Sequence, residues 1–105
     1  MNVELAFRVL KSKLLSASVF NKNFADIKFY EANLDFPRSV TAYYENEYVG
    51  GEITIYIIPG NSYCEYEMLI AKNEQFYSEK LEFNSENEVA NIINKYSTHI
   101  ASMCI

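Results

Sequence analysis

The residues whose spacing could support acid–base chemistry are Glu65 and Glu67. They fall in an alternating polar and apolar segment, so as strand residues they project from the same face, about 7 Å apart. That separation is typical of the two carboxyl groups of inverting glycosidases. Such enzymes hold the pair in a deep cleft, for which a small sheet has little room. The pattern therefore favours a solvated strand face over a catalytic pair.

Nucleophilic catalysis lacks a general base in this sequence. His99 is the only histidine, and it lies near the end of an amphipathic helical pattern, where a cation suits the helix dipole. A serine or cysteine nucleophile needs a base within hydrogen-bond reach, and no pattern pairs His99 with one. We therefore expect no catalytic residues and no enzymatic activity.

Metal and cofactor sites are not indicated either. One histidine, two distant cysteines (Cys64 and Cys104) and scattered carboxylates match neither zinc nor calcium spacing. The three glycines stand in turn-like contexts and form no phosphate-binding loop. The sequence predicts no metal, no cofactor and no small-molecule substrate, and it indicates two free thiols in a reducing compartment.

Charge is distributed unevenly along the chain. The formal net charge is −5, but residues 1–30 carry five basic and two acidic side chains, whereas residues 31–105 carry four basic and twelve acidic ones. An acidic surface repels the phosphates of nucleic acids and membranes and attracts cationic partners. There is no bilayer-length apolar run and no signal-peptide pattern at the N-terminus. These features predict a soluble, cytoplasmic protein that binds neither nucleic acid nor membrane.

Helical periodicity marks both ends of the chain. Apolar residues recur three or four apart from Leu5 to Leu14, and Asn2 is placed to cap this helix. A loop is expected over residues 21–23. At the other end, Ser85 and Glu88 form a capping box, which predicts a helix that continues to Met103.

Between the helices the period changes to two, which predicts five strands. Alternation is clearest over residues 52–57, the first strand is expected to stop near Phe36-Pro37, and the facing of the fifth is ambiguous. The predicted turns are Gly50-Gly51, Pro59 to Ser62, and Lys72 to Glu74. Such short connections favour antiparallel neighbours. We predict one α+β domain over residues 1–105: an N-terminal helix, an antiparallel meander of about five strands, and a C-terminal amphipathic helix packed on one sheet face.

The segment from Ser39 to Ala71 contains five glutamates and six tyrosines but no lysine or arginine. Strand phase places Tyr44 and Tyr66 in the core and leaves the other tyrosines outside. Tyrosine is enriched at interface hot spots, and glutamates attract cationic partners. Strand propensity alone also enriches tyrosine, but the absence of lysine favours a functional acidic surface.

This organisation resembles the small acidic immunity proteins of bacterial polymorphic-toxin and contact-dependent growth inhibition systems. The resemblance covers the leading helix, the meander with its Gly-rich turns, and the capped helix from Ser85 to Met103. It implies a protein that binds one cognate toxin domain, one to one, and covers a basic, nuclease-type active site. The side chains expected to contact the toxin are Tyr43, Glu45, Glu47, Tyr48, Glu52, Tyr56, Tyr63, Glu65 and Glu67.

Three alternatives remain open at this point. One is another acidic inhibitor or chaperone, such as a phage-type inhibitor or a secretion chaperone, that uses the same surface. Another is a small enzyme with a Glu-based site near Glu65 and Glu67. A nucleic-acid-binding sheet is the third. Turnover lost in Glu65→Gln without loss of binding would favour the enzyme.

Overall fold

A computed structural model describes residues 1–17, 22, 24, 26–32 and 38–103. Over these described residues the main elements are a helix, five strands and a second long helix, which confirms the predicted α+β class. The elements are α1 (Val3–Ser16), β1 (Lys28–Ala32), β2 (Arg38–Glu45), β3 (Val49–Ile57), β4 (Tyr63–Ile70), β5 (Gln75–Glu82) and α2 (Glu86–Met103). The predicted loop residues Asn21 and Asn23, the strand end at Phe36-Pro37, and Cys104 lie outside the described residues.

The five strands form one sheet in the order β1-β2-β3-β4-β5, and every neighbouring pair is antiparallel. The connections from β2 to β5 contain only three to five residues. Links this short cannot make the crossover that parallel neighbours require. The predicted meander is therefore confirmed.

Side chains cap both helices at their N-termini, as predicted. The Asn2 Oδ1 accepts a hydrogen bond from the backbone N–H of Leu5 at 2.8 Å. At α2, the Ser85 hydroxyl accepts from the N–H of Glu88 at 3.2 Å, and the Glu88 carboxylate accepts from the N–H of Asn84 at 2.7 Å. These bonds satisfy backbone donors that have no partner within the helix.

Both helices cover the same face of the sheet. α1 contacts β1 and β2, α2 contacts β4, and the two helices contact each other. The apolar residues of the strands alternate with polar ones, so one face supplies the core and the other does not. Fully buried members of this core include Ala6, Leu10, Leu14, Val40, Ala42, Tyr44, Ile53, Ile55, Cys64, Met68, Val89, Ile93, Tyr96 and Ile100.

The prediction of a turn at Gly50-Gly51 was wrong, because both glycines lie inside β3. The connection is instead made by Asn46 to Tyr48. The Asn46 Oδ1 accepts from the N–H groups of Tyr48 and Val49, and the Asn46 N–H donates to the Val49 carbonyl. The turn is thus stabilised by the Asn46 side chain and not by glycines.

The other two turns are where the sequence predicted them. Gly60, within Pro59 to Ser62, adopts a positive φ of 80°. Glu74 adopts a φ of 55° at the end of the turn before β5. The ambiguous facing of β5 is also resolved, since Tyr77 and Leu81 pack against the core.

Gly51 makes room for a pair of buried tyrosines. The Tyr44 and Tyr96 hydroxyls form a hydrogen bond inside the core. A Cβ at position 51 would lie 2.7 Å from the Tyr44 hydroxyl oxygen and closer still to the Glu67 carbonyl oxygen. Position 51 therefore requires glycine because of close approach. At Gly50 a Cβ would meet only the Glu45 side chain, at 3.7 Å.

This contrast predicts different costs for two neighbouring substitutions. Gly51→Ala should lower the free energy of unfolding by about 1–3 kcal/mol, because the added methyl overpacks the interior. Gly50→Ala should leave it unchanged or raise it by up to about 1 kcal/mol, since alanine loses less backbone entropy on folding. Urea denaturation of the two variants checks the prediction. Equal destabilisation at both positions would contradict it.

Candidate functional site

The face of the sheet opposite the helices is lined by polar and aromatic side chains. Strand register arranges them in rows that cross the sheet. Tyr43, Glu52 and Glu67 are successive neighbours in one row, and the next row contains Thr41, Thr54 and Glu65. We call this surface the outer face. Its residues on the five strands are Lys28, Tyr30, Ala32, Ser39, Thr41, Tyr43, Glu45, Gly50, Glu52, Thr54, Tyr56, Tyr63, Glu65, Glu67, Leu69, Phe76, Ser78, Lys80 and Glu82.

The structure brings together seven of the nine side chains that the sequence analysis selected. On the outer face lie Tyr43, Glu45, Glu52, Tyr56, Tyr63, Glu65 and Glu67. Glu47 and Tyr48 are instead in the turn between β2 and β3, where both are exposed. They border a different depression, next to Ile70 and Met103 at the helix side of the sheet.

Carboxylates crowd the centre of the outer face. Glu52 and Glu67 are directly opposite each other on β3 and β4, and Glu65 is two residues from Glu67 on the same side of β4. Partial burial raises the pKa of Glu67, and the charges of Glu52 and Glu65 raise it further. Like charges in direct cross-strand opposition destabilise a sheet. The arrangement therefore costs folding stability, and a bound cation would relieve it.

Tyr43 adds a hydroxyl beside these carboxylates. It donates a hydrogen bond to the Glu45 carboxylate at 2.9 Å, and this bond is the main reason that the pKa of Tyr43 is raised. The hydrogen bond holds Glu45 against the ring, next to Glu52. About a third of the Tyr43 side chain stays accessible (36 %).

The opposite end of the outer face is occupied by an internal stack. The Tyr56 and Tyr63 rings lie 4.7 Å apart at an interplanar angle of 26°, and the Lys80 ammonium sits 4.1 Å from the centre of the Tyr63 ring. Lys80 is also the cross-strand neighbour of Glu65. These two tyrosines are half-buried and already have partners, and the acidic centre of the outer face lies toward Glu52 and Glu67, which are half-buried as well.

A depression of about 500 Å³ opens beside that acidic centre, at Gly50. Its walls include Tyr43, Glu52 and Glu67 together with Leu69 and Phe76. Leu69 and Phe76 are cross-strand neighbours, and 50 % and 58 % of their surfaces are exposed. Exposed large apolar side chains grouped around a depression are typical of interaction sites. We define the Gly50 depression by these residues.

The sequence analysis missed Leu69 and Phe76. Strand phase does place Leu69 opposite in phase to Met68 and Ile70, so its outward position could have been inferred. For Phe76 no such inference was possible, because the facing of β5 was ambiguous. Neither residue is a tyrosine or a glutamate, the two residue types from which the binding surface was predicted.

The side chains considered for catalysis form no enclosed site: Cys64 and His99 lie on the helix side of the sheet, and Glu65 and Glu67 lie on the outer face. Burial raises the pKa of Cys64 to about 12, so its thiol remains protonated at neutral pH. His99 packs edge-on against Tyr77 on the helix side of the sheet. Glu65 and Glu67 stand on the open outer face. Within the part of the chain that the structure describes, no three His, Cys, Asp or Glu side chains cluster as a metal site would require.

Sequence comparisons leave function to be inferred from this geometry. No protein-family model matches the chain, and no curated protein matches it at a significant level. Among the described residues, neither helix has the length and apolar character needed to cross a bilayer.

The opposition of Glu52 and Glu67 predicts a pH-dependent gain from neutralising one partner. Because the pKa of Glu67 is raised on folding, stability falls as pH rises through its titration. Glu67→Gln should therefore raise the free energy of unfolding at neutral pH, by about 0.2–1 kcal/mol. That gain should shrink as the pH is lowered through the pKa of Glu67. Urea denaturation at several pH values measures it.

The matched control for this prediction is Glu82→Gln. Glu82 lies on the same face, but its cross-strand neighbour is Tyr63 and not a carboxylate. It should give no comparable gain. A Glu67→Gln variant that is no more stable than the Glu82→Gln variant at neutral pH would contradict the prediction.

Proposed function

We propose that this protein is an immunity protein, which binds and neutralises a basic toxin domain through the outer face. The observation that carries the proposal is the charge of the outer face, which neither α1 nor α2 covers and whose strand positions carry five carboxylates against two ammonium groups. Exposed aromatic and apolar side chains lie among those carboxylates. A face of this composition suits a cationic protein surface.

The dimensions of the outer face suit a protein partner. Five strands spaced about 4.8 Å apart, each up to eight or nine residues long, span roughly 24 Å by 26 Å. The resulting planar area of roughly 600 Å² approaches the ~800 Å² that each partner buries in a standard interface. The surrounding turns, including Glu47 and Tyr48, could supply the remainder.

The negative charge of the outer face would allow it to inhibit a toxin by covering a positively charged active site. A nuclease-type toxin binds the phosphates of its substrate with lysine and arginine side chains. Glu45, Glu52, Glu65 and Glu67 would pair with such side chains and block access by the substrate. The negative field would also speed the encounter. The resemblance of the chain to small acidic immunity proteins supports the same conclusion.

Co-expression with a toxin domain encoded by a neighbouring gene tests the proposal. The expected results are survival of cells that otherwise die, and a one-to-one complex in size-exclusion chromatography with light scattering. A complex without protection would indicate a chaperone in place of an inhibitor. If no complex forms and the cells are not protected, the proposal is overturned.

The proposal predicts which charges matter for the complex. Glu52→Gln/Glu67→Gln should weaken binding by about 10- to 100-fold, because partner cations lose their carboxylates. The association rate should fall with added salt in the wild type, and less steeply in this variant. Isothermal titration calorimetry and stopped-flow measurements at several salt concentrations provide the test.

A variant with the same change of net charge controls for non-specific electrostatics. Asn91→Lys/Asn94→Lys adds two positive charges on the exposed side of α2, away from the outer face. It should weaken binding by less than about threefold, since remote exposed charges are screened by salt. Equal losses in the two variants would mean that overall charge, and not the outer face, governs binding.

A further inference from the structure

Gly50 has no structural requirement for glycine. Its backbone is not in the left-handed region, where only Gly60 is found among the described glycines. A Cβ at position 50 would point into open space, with Glu45 Cγ as its nearest neighbour at 3.7 Å. Glycine weakens the interior of a strand, and it often marks a place where a ligand approaches the backbone closely. Gly50 lines the Gly50 depression, and its missing side chain leaves that part of it open.

The walls of the Gly50 depression are of two kinds. Leu69 and Phe76 form an exposed apolar side. Glu52 and Glu67 form an acidic side, where the two carboxylates are direct cross-strand neighbours and repel each other. An occupant must therefore combine an apolar stem with a cationic end.

We infer that the Gly50 depression receives one arginine side chain of the protein partner. This inference rests on the proposed function and specifies its central contact. The methylene stem packs on Leu69, and the guanidinium reaches Glu52 and Glu67. Tyr43 and Phe76 line the same depression, and a flat guanidinium both stacks on aromatic rings and matches carboxylates with two parallel hydrogen bonds.

Arginine fits these walls better than lysine does. A lysine ammonium is a strongly hydrated point charge, whereas guanidinium is weakly hydrated and stacks on aromatic rings. A purely apolar side chain would bury the two carboxylates without a partner, which is costly. Arginine is also among the residues that dominate binding energy at interfaces.

Short peptides test the Gly50 depression without the toxin. Acetyl-Gly-Arg-Gly-amide is titrated into the ¹⁵N-labelled protein at low salt and followed by NMR. Shifts in the amide signals should concentrate at Gly50, Gly51 and Leu69. The same peptide with lysine should bind at least threefold more weakly, and with uncharged citrulline at least tenfold more weakly.

Two valine substitutions connect the shifts to the Gly50 depression. Gly50→Val fills it with a good strand former and should reduce peptide binding at least tenfold while the rest of the spectrum stays folded. Thr98→Val places a valine on the exposed side of α2, away from the outer face, and should leave binding within twofold. Equal binding of the arginine and citrulline peptides, or unchanged binding by Gly50→Val, would overturn the inference.

The same variants separate this inference from the proposed function. If the peptide binds as expected but the neighbouring toxin is not neutralised, only the proposed function fails. If the toxin complex forms and Gly50→Val binds it as tightly as wild type, only the arginine site fails. In a complex built as inferred, Gly50→Val and Phe76→Ala each lower affinity at least tenfold.

Discussion

The hydrogen bond between the Tyr44 and Tyr96 hydroxyls sets the position of α2 on the sheet. Both side chains are fully buried, so each hydroxyl needs a partner inside the protein. The Tyr96 ring also packs 4.4 Å from that of Tyr66, and Tyr44 fits only because position 51 is glycine. The Tyr96 hydroxyl also lies 3.5 Å from the Glu52 carbonyl oxygen, so Tyr96 connects α2 to β2, β3 and β4. The alternation of the strands determines which face is apolar, and this contact fixes where α2 lies on that face.

Two consecutive glycines serve opposite faces of the same strand. Gly51 points toward the helices and admits the buried tyrosine pair, whereas Gly50 points away and leaves the Gly50 depression. The alternation of a strand makes this division automatic, because neighbouring residues face opposite sides. The dipeptide Gly50-Gly51 therefore contributes both to the packing of the core and to the depression on the outer face. A single insertion before Gly50 would exchange their roles and disrupt both.

Local chemistry made much of the fold predictable. The caps at Asn2 and Ser85 depend on neighbours within four residues, and strand alternation reports burial directly. The Gly50-Gly51 turn was wrong because the Asn46 side chain closes the hairpin earlier. The charge pattern of the outer face could not be derived, since register alone brings Lys80 over Tyr63. The segment from Ser39 to Ala71, which contains no lysine, therefore lies beside Lys80 in the folded protein.

The outer face is poorly arranged for the stability of the isolated protein, and the proposed binding would offset this. Carboxylates directly opposed across β3 and β4 repel each other, and large apolar groups at Leu69 and Phe76 stay in water. Both features raise the free energy of the isolated protein, and a partner that supplies cations and excludes water removes both penalties. The sheet itself needs no rearrangement, because its backbone is fixed by hydrogen bonds on neighbouring strands. Binding would then cost mainly the ordering of a few side chains, and the repulsion stored in the free protein would add to the affinity for a basic partner.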